Sequence, residues 1–440
     1  MIKYLRSNIK VIKTSVGSAG VQAANRFLTI ASGVFFARVL GPENYGVYVY
    51  AFSIMGLVMV LSESGLPVLI LREVASYNAK KDWEKLKWVV HKGLKLLFVN
   101  NVIILSIAIL FLGFKSNEMS SDSLWTAILM LCLMVTLVFT KFFVGVIQGH
   151  SKVVLGQLIN MICVPALALV FFTACFLFLP GTISHTEAMG SQVIGGIVTL
   201  LFSIYVVHRL IHKTDDSCAL ENAYTGKNEN LLKSAFSFVL IGAAGLLLTQ
   251  IDLIVLGFFR PHDEVGIYRI ATQGAMLVQF FLHISGNVIS PKIAQYYADG
   301  KLKDVKYISI CAGRAVSVLS IPVVLFLLIF GERVITLIFG IEYEAAYMPM
   351  FLLLIGQFFV AILGVSVYVM NMTGNESIVS RVLWGAAFLN ITLNLIFVPI
   401  YGVLGAATST AISLVMSNFA IFMACKKCLK IDVGLWSRLP

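Results

Sequence analysis

Long apolar runs separated by short polar breaks set the pattern of this chain. Twelve runs stand out. They lie near Ser15–Ala37, Val47–Ile70, Leu94–Phe114, Leu124–Gln148, Val153–Leu179 and Ala188–Val207, then Ser234–Gly257, Ile267–Pro291, Tyr307–Phe330, Tyr347–Met370, Arg381–Pro399 and Leu404–Cys425. Each approaches the roughly 20 residues that a helix needs to cross hydrocarbon. Segments such as Ile103–Leu112 (IILSIAILFL) are apolar on every side and lack the period of two expected of barrel strands. Backbone groups in lipid must bond within their own segment or in a closed barrel, so the runs predict α-helices. The expected fold class is an all-α integral membrane protein with about 12 transmembrane helices.

Composition strengthens this picture. The 440 residues are 59% hydrophobic and 12% charged. A soluble globular chain carries about 25% charged residues. The net charge of +11 does not point to nucleic acid, because the basic residues are spread among short breaks. About 24 of them fall on the side that holds the N-terminus, against four on the other, Arg38, Lys115, Arg260 and Arg333. Under the positive-inside rule this places both termini in the cytoplasm and requires an even number of spans. Lys3, Arg6, Lys10 and Lys13 precede the first apolar run, which reads as a retained span and not as a signal peptide. Seven cysteines form no disulfide framework, and the lone Cys425-x-x-Cys428 lacks the second pair that a zinc site needs.

The chain repeats itself at half its length. Leu40–Ala51 reads LGPENYGVYVYA and Arg260–Ala271 reads RPHDEVGIYRIA, so that Gly46 matches Gly266, Tyr48 matches Tyr268 and Glu43 matches Asp263. Two halves of six spans each have the same orientation, which makes this a parallel repeat about an axis along the membrane normal. The expected organisation is a basic N-terminal segment (1–14), an N-terminal six-helix bundle (15–207), a polar cytoplasmic linker (208–233), a C-terminal six-helix bundle (234–425) and a cytoplasmic tail (426–440). An outward loop is expected at Gly41–Gly46.

Ionisable residues inside spans are costly and mark cavities or partners. Arg26 lies midway along the first span beside Asn25. Asp252 and Arg269 sit at similar depth in the seventh and eighth spans, where they either pair with each other or line a path. Glu63 lies in SESGLP, where Gly65 and Pro67 predict a broken helix whose freed carbonyls suit a proton or cation. Lys141 and Arg314 sit nearer the cytoplasmic ends and either snorkel or face a cavity. Cationic groups outnumber acidic ones at depth, which suits an anionic substrate. Guanidinium forks suit phosphate in particular. Asn390 and Asn394 share one helix face and either bind sugar hydroxyls or join helices. No G-x-x-x-x-G-K-[ST] sequence is present, so any coupling is expected to use H+ or Na+ through Glu63 or Asp252.

Ala37–Ala51 (ARVLGPENYGVYVYA) and Ser64–Ala75 (SGLPVLILREVA) resemble the polysaccharide-export branch of the multidrug/oligosaccharidyl-lipid/polysaccharide (MOP) superfamily, the Wzx-type O-antigen flippases. The resemblance spans the whole chain. It implies a V-shaped, MATE-like transporter in the bacterial inner membrane. Two six-helix bundles would move undecaprenyl-pyrophosphate-linked oligosaccharide by alternating access. Arg26, Arg269, Asn25, Lys141 and Arg314 would hold that substrate. Membrane lipids, and downstream a polysaccharide polymerase and chain-length machinery, are the implied partners, with no cofactor. A drug/cation antiporter or lipid II flippase of the same superfamily is the nearest alternative. The span-1 carboxylate of drug exporters is absent. A polytopic polymerase or glycosyltransferase is the alternative of another class.

Overall fold

A computed structural model describes residues 2–115, 120–178, 183–212, 229–429 and 434, almost all of them helical. The helices are α1 (Ile2–Glu63), α2 (Leu66–Lys80), α3 (Trp83–Lys115), α4 (Ser121–Gly149), α5 (Val153–Leu158), α6 (Val164–Phe178), α7 (His185–His212), α8 (Glu229–Phe259), α9 (His262–Ala298), α10 (Leu302–Phe339), α11 (Tyr347–Leu363), α12 (Ser366–Met372), α13 (Glu376–Tyr401) and α14 (Val403–Leu429). Among the described residues, 10 helices are long and apolar enough to cross a membrane. One of these candidates, Gly17–Glu63, has 47 residues, or about 70 Å of helix, which is more than two crossings of a 30 Å hydrocarbon layer. The chain is a multi-pass membrane protein.

Several predicted spans are broken where their sequence has a reason to break. The expected loop at Gly41–Gly46 is not a loop. The helix is interrupted at Gly41 alone (φ 72, ψ 170) and resumes at Pro42. A proline early in a helix forfeits no needed N–H, and a glycine takes the positive φ without a Cβ clash. The break foreseen in SESGLP is present, with Ser64 and Gly65 both at positive φ and Pro67 in the first turn of α2. The tenth expected span divides at Gly364 into α11 and α12. The fifth is α5 and α6 joined by a π-turn at Ile159–Cys163.

The chain forms two compact units. Unit 1 is Met1–Leu40 with Ile54–Ala243, and unit 2 is Gly41–Ser53 with Ala244–Pro440. Most of the expected linker at 208–233 lies outside the described residues. In unit 1, α4 is central and packs on α2, α3 and α7. Its buried Leu133, Met134, Val138, Phe142, Val146 and Ile147 form much of the core. The helix opens on Ser120, whose hydroxyl caps the Ser123 N–H. In unit 2, α9, α10, α11 and α14 surround a core that includes Ile293, Val305, Val316, Val365, Met370 and Cys425. The apolar side chains left exposed, such as Ile107, Phe111, Leu201, Val318 and Phe388, lie on faces suited to lipid.

Candidate functional site

The helix break in unit 1 gathers its polar groups around itself. Lys141 of α4 reaches Glu63 with Nζ 2.6 Å from Oε1, and the two side chains are 38% and 21% exposed. The carbonyls freed by the break are also met. Asn100 of α3 donates to the carbonyls of Leu61 and Ser62 and to the Ser64 hydroxyl, each at 2.9 Å. Asn101 donates to Ser62 O at 3.3 Å. Carboxylate and ammonium therefore satisfy each other, and the two asparagine amides satisfy the broken backbone. Glu63 and Lys141, expected to serve different roles, meet in one ion pair. The freed carbonyls are engaged by amides and do not stand open to a cation.

Also in unit 1, Arg26 lies on an exposed face of α1, with Asn25 half-buried beside it. The Asn25 carbonyl accepts the Thr29 hydroxyl at 2.8 Å. Arg26 sits among apolar neighbours such as Phe27, which is itself exposed. A guanidinium at that depth needs water or an anion.

Unit 2 holds a different kind of site. Asp252 of α8 is 4% exposed. Its Oδ1 accepts from Asn394 Nδ2 at 2.7 Å, and its Oδ2 from Thr410 Oγ1 at 2.5 Å and Tyr268 OH at 3.0 Å. Asn390 Nδ2 donates to Thr410 Oγ1 at 3.3 Å. The amide oxygens of Asn390 and Asn394 are buried and, among the described residues, find no hydrogen-bond partner. Among the described residues, every group that hydrogen-bonds the carboxylate is neutral. The expected alternative of an Asp252–Arg269 ion pair is not formed. Arg269 is half-buried on α9 beside the Tyr45 hydroxyl, which also accepts from Gln273 Nε2 at 3.1 Å. Arg314 is half-buried in α10.

The energetics of this cluster are balanced. Burying a carboxylate costs several kcal/mol even after relaxation. Hydrogen bonds to a charged group return about 1.5–3 kcal/mol each. Three such bonds match the penalty without a large surplus. The unmatched amide oxygens add acceptors where donors are already spent. An oxygen-rich cluster with one carboxylate has the chemistry to take up a proton or a monovalent cation.

Unit 2 also contains the repeat. A Cβ on Gly46 would stand 1.6 Å from the His262 carbonyl oxygen, and one on Gly266 would stand 2.4 Å from the Pro42 carbonyl oxygen. In the repeat Gly46 corresponds to Gly266 and Pro42 to His262. The two segments thus pack reciprocally, backbone on backbone, as a local two-fold contact. Tyr50 seals its side, with its ring 5.1 Å from that of His262.

The family model described as polysaccharide biosynthesis protein matches residues 13–297. The chain belongs to this family. It is 23% identical to the probable low-salt glycan biosynthesis flippase of Haloferax volcanii, over 94% of this chain and 81% of that one. It is 21% identical to a putative O-antigen transporter of Shigella flexneri, over 93% and 96% of the two chains. Among solved structures it is similar to an inward-facing multidrug resistance MATE family transporter of the MOP superfamily. That match has a TM-score of 0.75 at 16% identity and covers 94% of this chain and 98% of that one. The family and fold are those of a membrane transporter. The resemblance to the polysaccharide-export family and the MATE-like fold expected with it therefore both hold.

Three features escaped the reading of the sequence. Tyr45 and Gln273 accompany Arg269, Thr410 completes the Asp252 cluster, and His283 Nδ1 lies 3.0 Å from the Tyr368 hydroxyl. A histidine midway along α9 was a visible signal. Thr410 lies in an apolar run where a threonine hydroxyl commonly bonds only its own helix backbone.

Proposed function

We propose that this protein flips undecaprenyl-pyrophosphate-linked oligosaccharide across the bacterial inner membrane by alternating access, with both termini cytoplasmic. A proton or Na+ at the Asp252 cluster drives it. The family supports transport for polysaccharide biosynthesis. The observation that carries the coupling is the buried carboxylate held only by neutral donors, beside two unmatched amide oxygens. Of the two carboxylates expected to couple, Glu63 is committed to Lys141, so the role falls to Asp252.

Arg26, with Asn25, in unit 1 and, separately, Arg269 in unit 2 are each assigned an affinity for anionic headgroups, since a guanidinium fork gives charge-assisted, bidentate bonds to phosphate. Arg314 is assigned a supporting role there. The reciprocal Gly46–Gly266 contact is assigned as the outer closure, which must part for release. A polysaccharide polymerase with its chain-length machinery would consume the unit on the outer side. A drug/cation exporter is a poorer fit, because cationic groups in this set repel its substrates.

The test is surface polysaccharide in a strain that lacks its own flippase, with membrane protein level measured alongside. Arg26→Ala should lose polymer while the protein accumulates, and Arg26→Lys should restore only part of it. Normal polymer with Arg26→Ala would remove Arg26 from the site.

A further inference from the structure

The lipid-facing side of unit 1 has a trough that the transport reading does not use. Its floor is Phe139 and Phe143 of α4. One wall is His91, Leu94, Lys95 and Phe98 of α3, and the other is Leu200 and Ile204 of α7. Both α3 and α7 pack on α4 and scarcely on each other, which leaves the gap between them open. The space is about 400 Å³.

Polarity is graded along the trough. His91 and Lys95 are four residues apart on α3 and so lie one above the other, at the end nearer the basic α2–α3 turn. Beyond them the lining is aliphatic and aromatic only. Both polar side chains are exposed. Among the described residues, neither makes a hydrogen bond or ion pair. Neighbouring cations are engaged in other ways. Lys85 meets Asp82 at 2.8 Å, Lys141 meets Glu63 at 2.6 Å, and Lys92 lies 4.7 Å from the centre of the Trp88 ring. The trough itself is lined by no acidic residue.

These features decide the kind of occupant. Residues 91–98 extend about 10 Å along the axis, or two helical turns. A single turn of a helix 10 Å across already fills roughly 400 Å³, so the trough is too thin for a partner helix. A flexible hydrocarbon chain fits it. The unmatched ammonium at its polar end calls for an anion at the depth where lipid phosphates lie.

We propose that this trough is a binding site for an anionic phospholipid of the bilayer. Its phosphate sits on Lys95 and His91, and one acyl chain lies along Phe98, Phe139, Phe143, Leu200 and Ile204. The site is independent of the transported substrate and depends only on the chain being in a membrane.

The test is native mass spectrometry of the full-length protein in detergent, titrated with phosphatidylglycerol or with phosphatidylcholine of the same chains. One lysine near a membrane surface favours an anionic lipid by about fivefold, which sets the expected preference for phosphatidylglycerol. His91→Gln with Lys95→Gln should reduce that preference to near parity, while phosphatidylcholine adducts stay as in the wild type. Lys95→Arg should keep the preference. Melting temperature checks that each variant is folded. Equal retention of the two lipids by the wild type, or an unchanged preference in the double variant, would overturn the proposal. So would tighter retention of undecaprenyl phosphate than of phosphatidylglycerol, which would make the trough a substrate site.

Discussion

Glu63 and Asp252 are both carboxylates of apolar helices, the first half-buried and the second buried, and the two units treat them in opposite ways. In unit 1 a full positive charge stands 2.6 Å from Glu63. In unit 2 Asp252 meets a tyrosine, a threonine and an asparagine. Opposite charges at that distance cancel most of the field of each partner, and the pair is neutral to its surroundings. Neutral donors solvate Asp252 and leave its charge in place. A paired carboxylate is a fastener. A solvated one is a place where a positive ion can arrive and leave. The contrast separates structure from coupling among residues that look alike in the sequence.

The largest effect should follow from removing the lone charge. Asp252→Asn keeps a similar shape and a hydrogen-bonding side chain but cannot gain a proton or hold a cation. We expect translocation to fall by at least about 100-fold, the equivalent of some 2.7 kcal/mol. Membrane protein level should stay near wild type. The residual rate should lose its dependence on pH and Na+. Reconstituted vesicles with the two gradients set separately measure this. A variant that keeps a normal ion dependence would erase the distinction between the two carboxylates.

Next in size is the reciprocal glycine contact. A methyl group on Gly46 would overlap the His262 carbonyl, and one on Gly266 would overlap that of Pro42. Backbone cannot yield as a side-chain tip can, so Gly46→Ala should prevent the segments from meeting. We expect transport to drop by about tenfold or more, since the lost contact costs at least the 1–3 kcal/mol typical of overpacking. A cysteine placed at Tyr45 should become more reactive to a water-soluble maleimide. Unchanged labelling and transport would show that the contact is not used as a closure.

A smaller effect is expected from the ion pair. Breaking a buried pair leaves one charge without a partner and costs about 3–5 kcal/mol. Here the partial exposure of both side chains screens the loss, so about 1–2 kcal/mol is expected. Glu63→Gln and Lys141→Met should each lower membrane accumulation. The double variant should recover much of it, and its transport should keep the wild-type ion dependence. Failure of the double variant to recover would mean that Glu63 acts on its own, and the contrast with Asp252 would weaken.

Local features of this molecule were legible in its sequence, and pairings were not. SESGLP announced its own break, because proline and glycine act on the backbone beside them. The repeat was visible as Gly46 and Gly266, although not that the two would touch. The depth of Asp252 followed from counting residues. Its partners Asn394 and Thr410 are 142 and 158 positions away, and Lys141 is 78 from Glu63. Periodicity says which face of a helix a residue occupies but not which helix that face meets. Arg269 was offered to Asp252 on depth alone, yet it lies beside Tyr45, because helix rotation and not depth selects its neighbour.

Outside the membrane the same kind of pair should matter least, and it supplies the scale for the others. Asp82 precedes α3, accepts the Lys85 N–H at 3.2 Å and meets Lys85 Nζ at 2.8 Å. The hydrogen bond and charge of Lys85 hold its carboxyl below the ordinary carboxylate range. A depressed folded value means that the unfolded chain binds its proton first as pH falls. The stabilisation is therefore complete above the unfolded value near 3.9 and is lost as pH drops through the folded one. Asp82→Asn retains a capping side chain and removes the charge, so at neutral pH the melting temperature should fall by only about 1 °C. Once the pH has dropped below the folded value, the variant and the wild type should converge. Raising the salt concentration should shrink the difference as well, because the pair is open to water. The Glu63–Lys141 pair should resist salt. If salt weakened both pairs equally, Glu63 would be as hydrated as Asp82, and its fastening role within the membrane would not stand.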